Sequence, residues 1–499
     1  MTSGFARLLA AGLLFLGVAA AEDYGTYGLG LVLEDLRTAP GWIQVQRVDV
    51  LPGRGSCDTI VQVDLSGQMP PVGNQGRQGS CTAWAVGYYH KTHTEWLEHG
   101  WDVSDPENQF SPAFIYNQIN GGVDQGSSFS DAMQLMIDQG CGNMVDSPYR
   151  DWMFTNWPTD TGYVNALPYR ALERHTIDLR DTSGVNAVRQ RLVNGYTSTI
   201  GIAVYGNFDR ISEHNNTYCV ADRTGSNRGG HAVTIVGYCD TLATNDGPGA
   251  FRVVNSWGPG WGDSGYFWMS YVAVMDTGLS AQSAAYATDR VDYTSRLLAR
   301  VRVTHGSREK VGMRFVVGPK AMPLHRWTLR PWRRAGYDRP FPENDLVFDL
   351  TDFDSLLVPG RADSLFFNCF DGLRDNIEGS IERFSVESAD SGHIARSWDT
   401  PLVIPEGSWV GAYALILVPL AVEDDPGAGR IVGEPRPVPA VCWGSIRLKG
   451  NRTALVTDAG GRNVARLTPG DNPVGQLSPG VYFVRQKGEA ATYKLLLQR

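Results

Sequence analysis

Positive charge is scarce and scattered in this chain. Lysine and arginine total 44 of 499 residues, against 53 acidic residues, and they form no block. A nucleic-acid footprint needs clustered cations, so none is expected. Cysteine is sparse too, at seven residues, which is too few for a disulfide scaffold. There is no internal repeat and no low-complexity tract. Long apolar runs are almost absent. Leu8–Val18 is too short to span a bilayer comfortably, and Trp409–Val422 contains Pro419 and reads as buried strand. No stable membrane span is expected. What is present is 42% apolar residues, enough for real cores and too many for wholesale disorder. The length suggests about three domains. With 57 glycines, 14 tryptophans and 20 tyrosines, a β-rich, loop-rich protein is expected rather than a helix bundle.

The first residues point to export. Arg7 precedes the apolar run, and Ala19-Ala20-Ala21 offers a cleavage site before Glu22. Residues 1–21 read as a secretory signal peptide, so the mature chain is expected outside the cytoplasm in an oxidising compartment. An odd cysteine count then leaves at least one thiol unpaired. Residues 22–60 read as a short pro-segment or an N-terminal arm. Residues 61–288 carry the chemistry. From 289 to 425, Arg296–Val303, Gly312–Val317, Asp345–Leu350, Ser364–Phe370 and Trp409–Leu417 look like strands separated by Asp, Gly and Pro clusters, which suggests a β-sandwich. Residues 426–440 carry Pro435, Pro437 and Pro439 and read as a linker. Residues 441–499 return to short strands and turns.

A glycine-rich loop, Asn74-Gln75-Gly76-Arg77-Gln78-Gly79-Ser80, leads into Cys81 and a helical stretch running to about His99. Ser80 is placed to cap that helix, with Cys81 in its first turn. The helix dipole and free backbone N–H groups favour a thiolate there. Gln75 offers a side-chain N–H which, with a backbone N–H, makes an oxyanion hole. Further on, Gly229-Gly230-His231-Ala232-Val233 starts an alternating strand, and Phe251–Val254 is a second strand ending at Asn255. A hairpin closed by loop 240–249 brings His231 and Asn255 together, so that the amide orients the imidazole and Trp257 shields the pair. Gly229 and Gly230 fit close backbone approach beside a cleft better than phosphate binding.

These blocks, in this order, resemble the papain-like cysteine peptidase family. The separation of Cys81 and His231, about 150 residues, matches that family. Phe110–Asn117, Gly126-Ser127-Ser128 with Asp131-Ala132, and Trp257–Trp261 with Gly265-Tyr266 extend the resemblance over residues 61–288. The resemblance implies an α+β fold with a helical lobe, a β-barrel-like lobe and a cleft between them. It implies Cys81 as nucleophile, His231 as general base and Asn255 as its orienter, with Gln75 and the Cys81 N–H as the oxyanion hole. Gly126, Ser127 and Trp257 would contact a polypeptide substrate. No cofactor and no metal is implied. The alternative is a catalytically inactive papain-fold surface binding protein.

Two positions depart from the family pattern. Gln78 stands where the family has Cys, and Thr82 where it has an aromatic residue, which predicts a less firmly stapled cleft wall. His90, His93 and His99 do not make a metal motif and read as a solvated helix face. Cys219 and Cys239 flank the His231 strand and are candidates for a bridge; Cys57 with Cys141, and Cys369 with Cys442, are other conceivable pairs. Cys81 is expected to be the unpaired thiol. Finally, Asp458–Arg462, Leu477–Arg485 and Tyr493-Lys494-Leu495 resemble the C-terminal sorting domain of bacterial type IX secretion. That resemblance implies a Gram-negative-type envelope, secretion machinery as a partner and a cell-surface or secreted destination.

Overall fold

A computed structural model describes residues 27–318, 325–329, 339–357, 362–388 and 393–417. Beyond those it describes 441–442, 445–448, 453–458, 463–468, 470–473, 477, 480–486 and 492–497. The signal-peptide run, the 426–440 linker and the glycine turns of the C-terminal segment lie outside the described residues. The chain divides into two compact units, residues 1–293 and 294–499.

In the first unit, three helical segments follow one another from the nucleophile position: Cys81–Ala83, a π-helical Trp84–Lys91, and Thr92–His99. The last ends at Gly100, whose φ of 65° suits a residue without a Cβ. Pro112–Ile119 and Phe129–Gln139 pack beside them. Ser111 and Ser128 cap these two helices, accepting from the backbone N–H groups of Ala113 and Asp131. Helix Thr182–Val193 is capped in the same way by Asp181.

A nine-stranded sheet carries the rest of the core. Its order is Ile43–Val45, Ala171–Asp178, Ser280–Asp289, Ser198–Val204, Gly229–Thr244, Gly247–Val254, Tyr266–Ser270 and Thr217–Tyr218, with Gln62–Asp64 paired to Gly229–Thr244. The hairpin expected around His231 is there, but its turn is short. Strand pairing continues through Ala243 with Pro248 and Thr244 with Gly247, so most of the expected 240–249 loop is strand. Aromatic rings of Phe208, Tyr218, Trp257, Trp261 and Phe267 interlock beneath it. No described helix is long and apolar enough to cross a membrane.

The second unit is built from antiparallel strands. One sheet runs Leu346–Asp349, Leu297–Thr304, Gly379–Ser388, His393–Arg396, with Leu402–Ile404 also on Gly379–Ser388; another runs His325–Thr328, Val311–Val317, Ala362–Asp371, Trp409–Leu417. Burial alternates along Ala362–Asp371, so Leu365, Phe367 and Cys369 point inward. Phe315 meets Phe348 and Phe367 at 5.2 and 5.1 Å, and Phe367 meets Phe384 at 5.9 Å, which joins the inner faces of the two sheets. Further strands lie between Val441 and Leu497.

Two sequence expectations fail here. His90 and His93 are buried rather than solvated. Their helix runs through the domain interior, where His90 meets the Thr197 hydroxyl and the Ala287 backbone, and His93 meets Gln68. Among the described residues the suggested disulfides do not form: Cys57, Cys81, Cys141, Cys219, Cys239 and Cys369 are all free, and the side chain of Cys442 lies outside the described residues. Cys81 is therefore one free thiol among six described ones. The others sit in separate places. Cys57, for instance, packs on helix Thr182–Val193 through Gln190 and Asn186, while Cys369 faces the core of the second unit.

Candidate active site

Loop and strand meet at the start of the nucleophile helix. Gln75 N–H donates to Ser256 O at 2.8 Å and Gly258 N–H donates to Gly73 O at 2.9 Å, so the 73–75 loop is zipped to the segment after Asn255. Thr234 Oγ1 donates to Ala85 O, which fastens the His231 strand to the helix. The Ala232 N–H then lies close enough to the Cys81 thiol to favour its anion. Four of the residues singled out in the sequence, Cys81, His231, Asn255 and Gln75, are thereby brought together, and all four are buried. Ser80 occupies the N-cap position, but its hydroxyl bonds Tyr149 rather than the helix.

The hydrogen bonds fix the orientation of each group. Asn255 Oδ1 accepts from the Ser256 N–H at 2.8 Å, which sets the amide, and lies 2.7 Å from His231 Nε2. An amide oxygen only accepts, so Nε2 carries the proton. His231 Nδ1 is buried with no hydrogen-bond partner. Trp257 covers the ring at 5.0 Å. On the other side, Ser256 Oγ donates to Gln75 Oε1 at 2.6 Å, which turns Gln75 Nε2 toward carbonyl oxygens.

Those oxygens include one from the chain's own N-terminal arm. Gln75 Nε2 donates to Gly28 O at 3.0 Å as well as to Gln78 O at 2.9 Å. Tyr27 stacks on Trp257 at 4.8 Å and 6°. Gly28 N–H donates to Gly76 O, and the N–H groups of Gly30 and Leu31 donate to Gly230 O. Ser127 N–H donates to Gly30 O at 2.8 Å, and Val32 N–H returns a bond to Ser127 O at 3.0 Å. Residues 27–32 thus lie along the groove, touching each residue assigned to substrate contact: Trp257 by stacking, Ser127 by hydrogen bonds, and Gly126 by close approach. A Cβ at Gly30 would sit 2.0 Å from Gly79 O, and one at Gly126 2.0 Å from Gly30 O. Gly230 likewise admits Leu31, whose carbonyl oxygen a Cβ there would meet at 2.5 Å.

Desolvation decides the charge state of this covered site. Burial pushes the Cys81 thiol up to about 11, against the opposing Ala232 N–H and Thr82 hydroxyl. Burial also pushes His231 down to about 4, against the Asn255 hydrogen bond. Loss of water thus opposes the thiolate that the helix-end N–H groups favour.

The two departures from the family pattern are bridged by polar ties. Gln78 Nε2 donates to Asp151 O at 3.1 Å and Arg150 O at 3.4 Å. Thr82 Oγ1 donates to Ser127 O at 3.0 Å. The Asp124 carboxylate accepts from Gly79 N–H at 2.7 Å and from the Tyr116 hydroxyl at 2.6 Å, while that hydroxyl accepts from Gly126 N–H. Hydrogen bonds therefore tie the cleft wall at the two positions where Gln78 and Thr82 depart from the family pattern. Sequence reasoning gave no role to Ser256, Asp124 or Tyr116, and it named the 22–60 arm without placing it in the groove. The alternation of Gly28 and Gly30 before Leu31 was the one local sign that a backbone must be approached closely there.

Comparison with known proteins follows the same boundary. Residues 61–287 match the model of the papain family of cysteine proteases. An uncharacterized peptidase C1-like protein of Acanthamoeba polyphaga mimivirus is 27% identical over 218 residues, covering 42% of this chain and 67% of that protein. Among solved structures, xylellain, a cysteine protease from Xylella fastidiosa, is 25% identical with a TM-score of 0.41, covering 53% of this chain and 97% of its own. The bromelain protease of Ananas comosus, solved with the E64 inhibitor, is 20% identical with a TM-score of 0.36, covering 46% of this chain and 99% of its own. The family match stops short of the second unit. Residues 61–287 are a papain-family cysteine peptidase domain, and that domain makes the protein a hydrolase.

Proposed function

We propose that the protein is an exported cysteine endopeptidase, held latent by residues 27–32 and acting through Cys81 and His231. The observation that carries this reading is the bare Nδ1 of His231, the residue preceding Ala232, whose N–H lies against the Cys81 thiol. In the reaction, Nδ1 takes the thiol proton as sulfur attacks the carbonyl carbon of the scissile bond. Gln75 Nε2 and the Cys81 N–H receive the developing oxyanion. Collapse breaks the C–N bond, and the amine leaves with the proton from Nδ1. Water, deprotonated by the same nitrogen, then attacks the thioester and releases the acid and the thiol. Against a purely binding role on an inactive papain fold stands that each polar role of the reaction is filled: thiol, base, orienting amide and oxyanion donor.

The arm is the pro-segment in this reading. Gly28 O takes the Gln75 donor that the oxyanion needs, so substrate enters only when residues 27–32 leave. Release restores water to the pocket and lifts the desolvation that keeps Cys81 and His231 neutral. The N-terminal run and the 454–499 motifs support export by signal peptide followed by type IX sorting to the surface or medium. The 289–425 strands form an accessory β-sandwich and 441–499 a small sorting domain.

The test is intact mass after incubation with an epoxysuccinyl inhibitor, using the full chain, Cys81→Ala and Gly30→Ala. One adduct on Gly30→Ala, absent from Cys81→Ala and slow on wild type, supports a latent peptidase. No adduct on a folded Gly30→Ala protein, with no casein hydrolysis, overturns the proposal in favour of binding.

A further inference from the structure

Away from the cleft, the first unit contains a cavity of about 600 Å³ bordered by the helix Thr92–His99, the end of Thr182–Val193, strand Ser280–Asp289 and residues 48–51 of the arm. Val48, Leu51, Leu97, Val291, Tyr196 and Tyr286 give it a mostly apolar wall. Among the described residues, Arg191 is the only lysine or arginine lining it. That residue is more than nine-tenths buried, and among the described residues no carboxylate pairs with it. Its guanidinium donates Nε to Ser198 Oγ at 3.1 Å and Nη2 to Thr197 O at 3.0 Å, and stacks 3.3 Å from the Tyr286 ring centre. Burial lowers it only to about 10, so it stays charged at neutral pH. A buried cation without a counter-ion is costly.

The other polar groups of the wall have their own partners. Asp289 gives both oxygens to Lys91 at 2.6 Å, and His90 meets Thr197 and Ala287. Asn194 accepts from Leu51 N–H and donates to Asp49 O, clamping the arm over the cavity. Asp49 and Glu98 add negative charge to the lining. A single guanidinium beside those carboxylates suits one negative charge rather than two.

We infer that this cavity is a binding site for a monocarboxylate with an apolar body, its carboxylate paired to Arg191 and its body against the Leu97 and Tyr196 wall. The volume is in the range of small-molecule sites, and guanidinium–carboxylate pairing is the strong polar contact available. The inference does not rest on the peptidase reading. Isothermal titration of the full-length protein with decanoate, decan-1-ol, decylamine and inorganic phosphate tests it. Decanoate is expected to saturate one site, the alcohol and amine to bind at least about tenfold more weakly, and phosphate not to bind. Arg191→Gln should weaken decanoate by about tenfold or more, to the level of the alcohol. Leu97→Trp fills the cavity and leaves the charge in place, so it should also remove binding. Lack of saturable decanoate binding to wild type, equal affinity for acid and alcohol, or unchanged binding by Leu97→Trp overturns the inference. Should Arg191→Gln not fold, the acid–alcohol comparison and Leu97→Trp still decide.

Discussion

Each unit buries a histidine against a polar side chain, and the two differ in one nitrogen. In the second unit, His305 Nε2 meets Asp371 Oδ2 at 3.1 Å, and its Nδ1 accepts from Ser307 N–H at 2.9 Å. Both nitrogens are engaged, so the ring is a rivet between strands and has nothing left to offer a reactant. In the first unit, His231 Nε2 meets Asn255 at 2.7 Å and Nδ1 meets nothing. An unsatisfied buried nitrogen is uncommon, yet His93 keeps a bare Nδ1 as well, with its Nε2 on Gln68, so the bare atom matters by its place beside the thiol. The lesson is that burial, a good hydrogen bond and a spare lone pair count together only where a nucleophile stands beside them, as at His231, whose neighbour Ala232 holds its N–H against the Cys81 thiol.

The strongest way to break the comparison is to remove the spare lone pair or its partner. On protein with the arm displaced, His231→Ala and Cys81→Ala should each lower casein hydrolysis by about 10⁴-fold or more, leaving only what the oxyanion donors contribute. Near-normal activity in either would remove His231 and Cys81 from the chemistry. Smaller losses are expected next to them. Gln75→Ala should cost about 10²–10³-fold in kcat. Asn255→Ala, which frees the ring to turn and change tautomer, should cost about 10²-fold. An effect confined to KM would show that these residues bind rather than assist. Gly30→Ala sharpens the picture from the other side. Its Cβ would meet Gly79 O at 2.0 Å, so the arm must lift. Alkylation of Cys81 by iodoacetamide at pH 7 is then expected to rise by about tenfold or more over wild type, read by peptide mass.

Acid should loosen the first unit. Burial holds His231 and His93 down at about 4 and His90 at about 3, below their ordinary value of 6.5. Between those values the unfolded chain binds more protons than the folded one, so stability present above pH 6.5 is lost as pH falls toward 4. Glu95, pushed up to about 8 by burial, acts in the opposite sense, against three histidines. Calorimetry should show the melting temperature falling between pH 7 and pH 4.5, by roughly 5 °C. A melting temperature that rises on acidification would mean that Glu95 and its neighbours govern instead. The smallest effect on activity belongs to His305. His305→Ala leaves Asp371 buried and unpaired and should destabilise the second unit by about 3 kcal/mol. Casein hydrolysis at 25 °C should not change.

Much of this was legible locally. The glycine loop and the short hydrophobic helix that follow one another at Cys81, and the alternating strands that carry His231 and Asn255, are patterns of a few residues. Strands such as Gly312–Val317 and Trp409–Leu417 were visible for the same reason, and the structure has Val311–Val317 and Trp409–Leu417. Gly379–Ser388 was missed because Glu382 and Arg383 interrupt its alternation. The histidines of the nucleophile helix were misread because a helix buried on all sides does not look amphipathic when its buried positions are polar. The cysteine pairings failed because sequence spacing says nothing about distance between distant segments.

The sequence by itself determined which chemistry was on offer. A cysteine at a helix start, a histidine and an asparagine on paired strands, and a glutamine before them follow from short-range backbone rules. Tertiary structure alone decided the state of that chemistry. It laid residues 27–32 against Gln75, Ser127 and Trp257, buried Cys81 away from the water that would have favoured the thiolate, and left Arg191 facing a cavity without a counter-ion. Desolvation and close approach depend on what a distant part of the chain covers, and no local pattern encodes that.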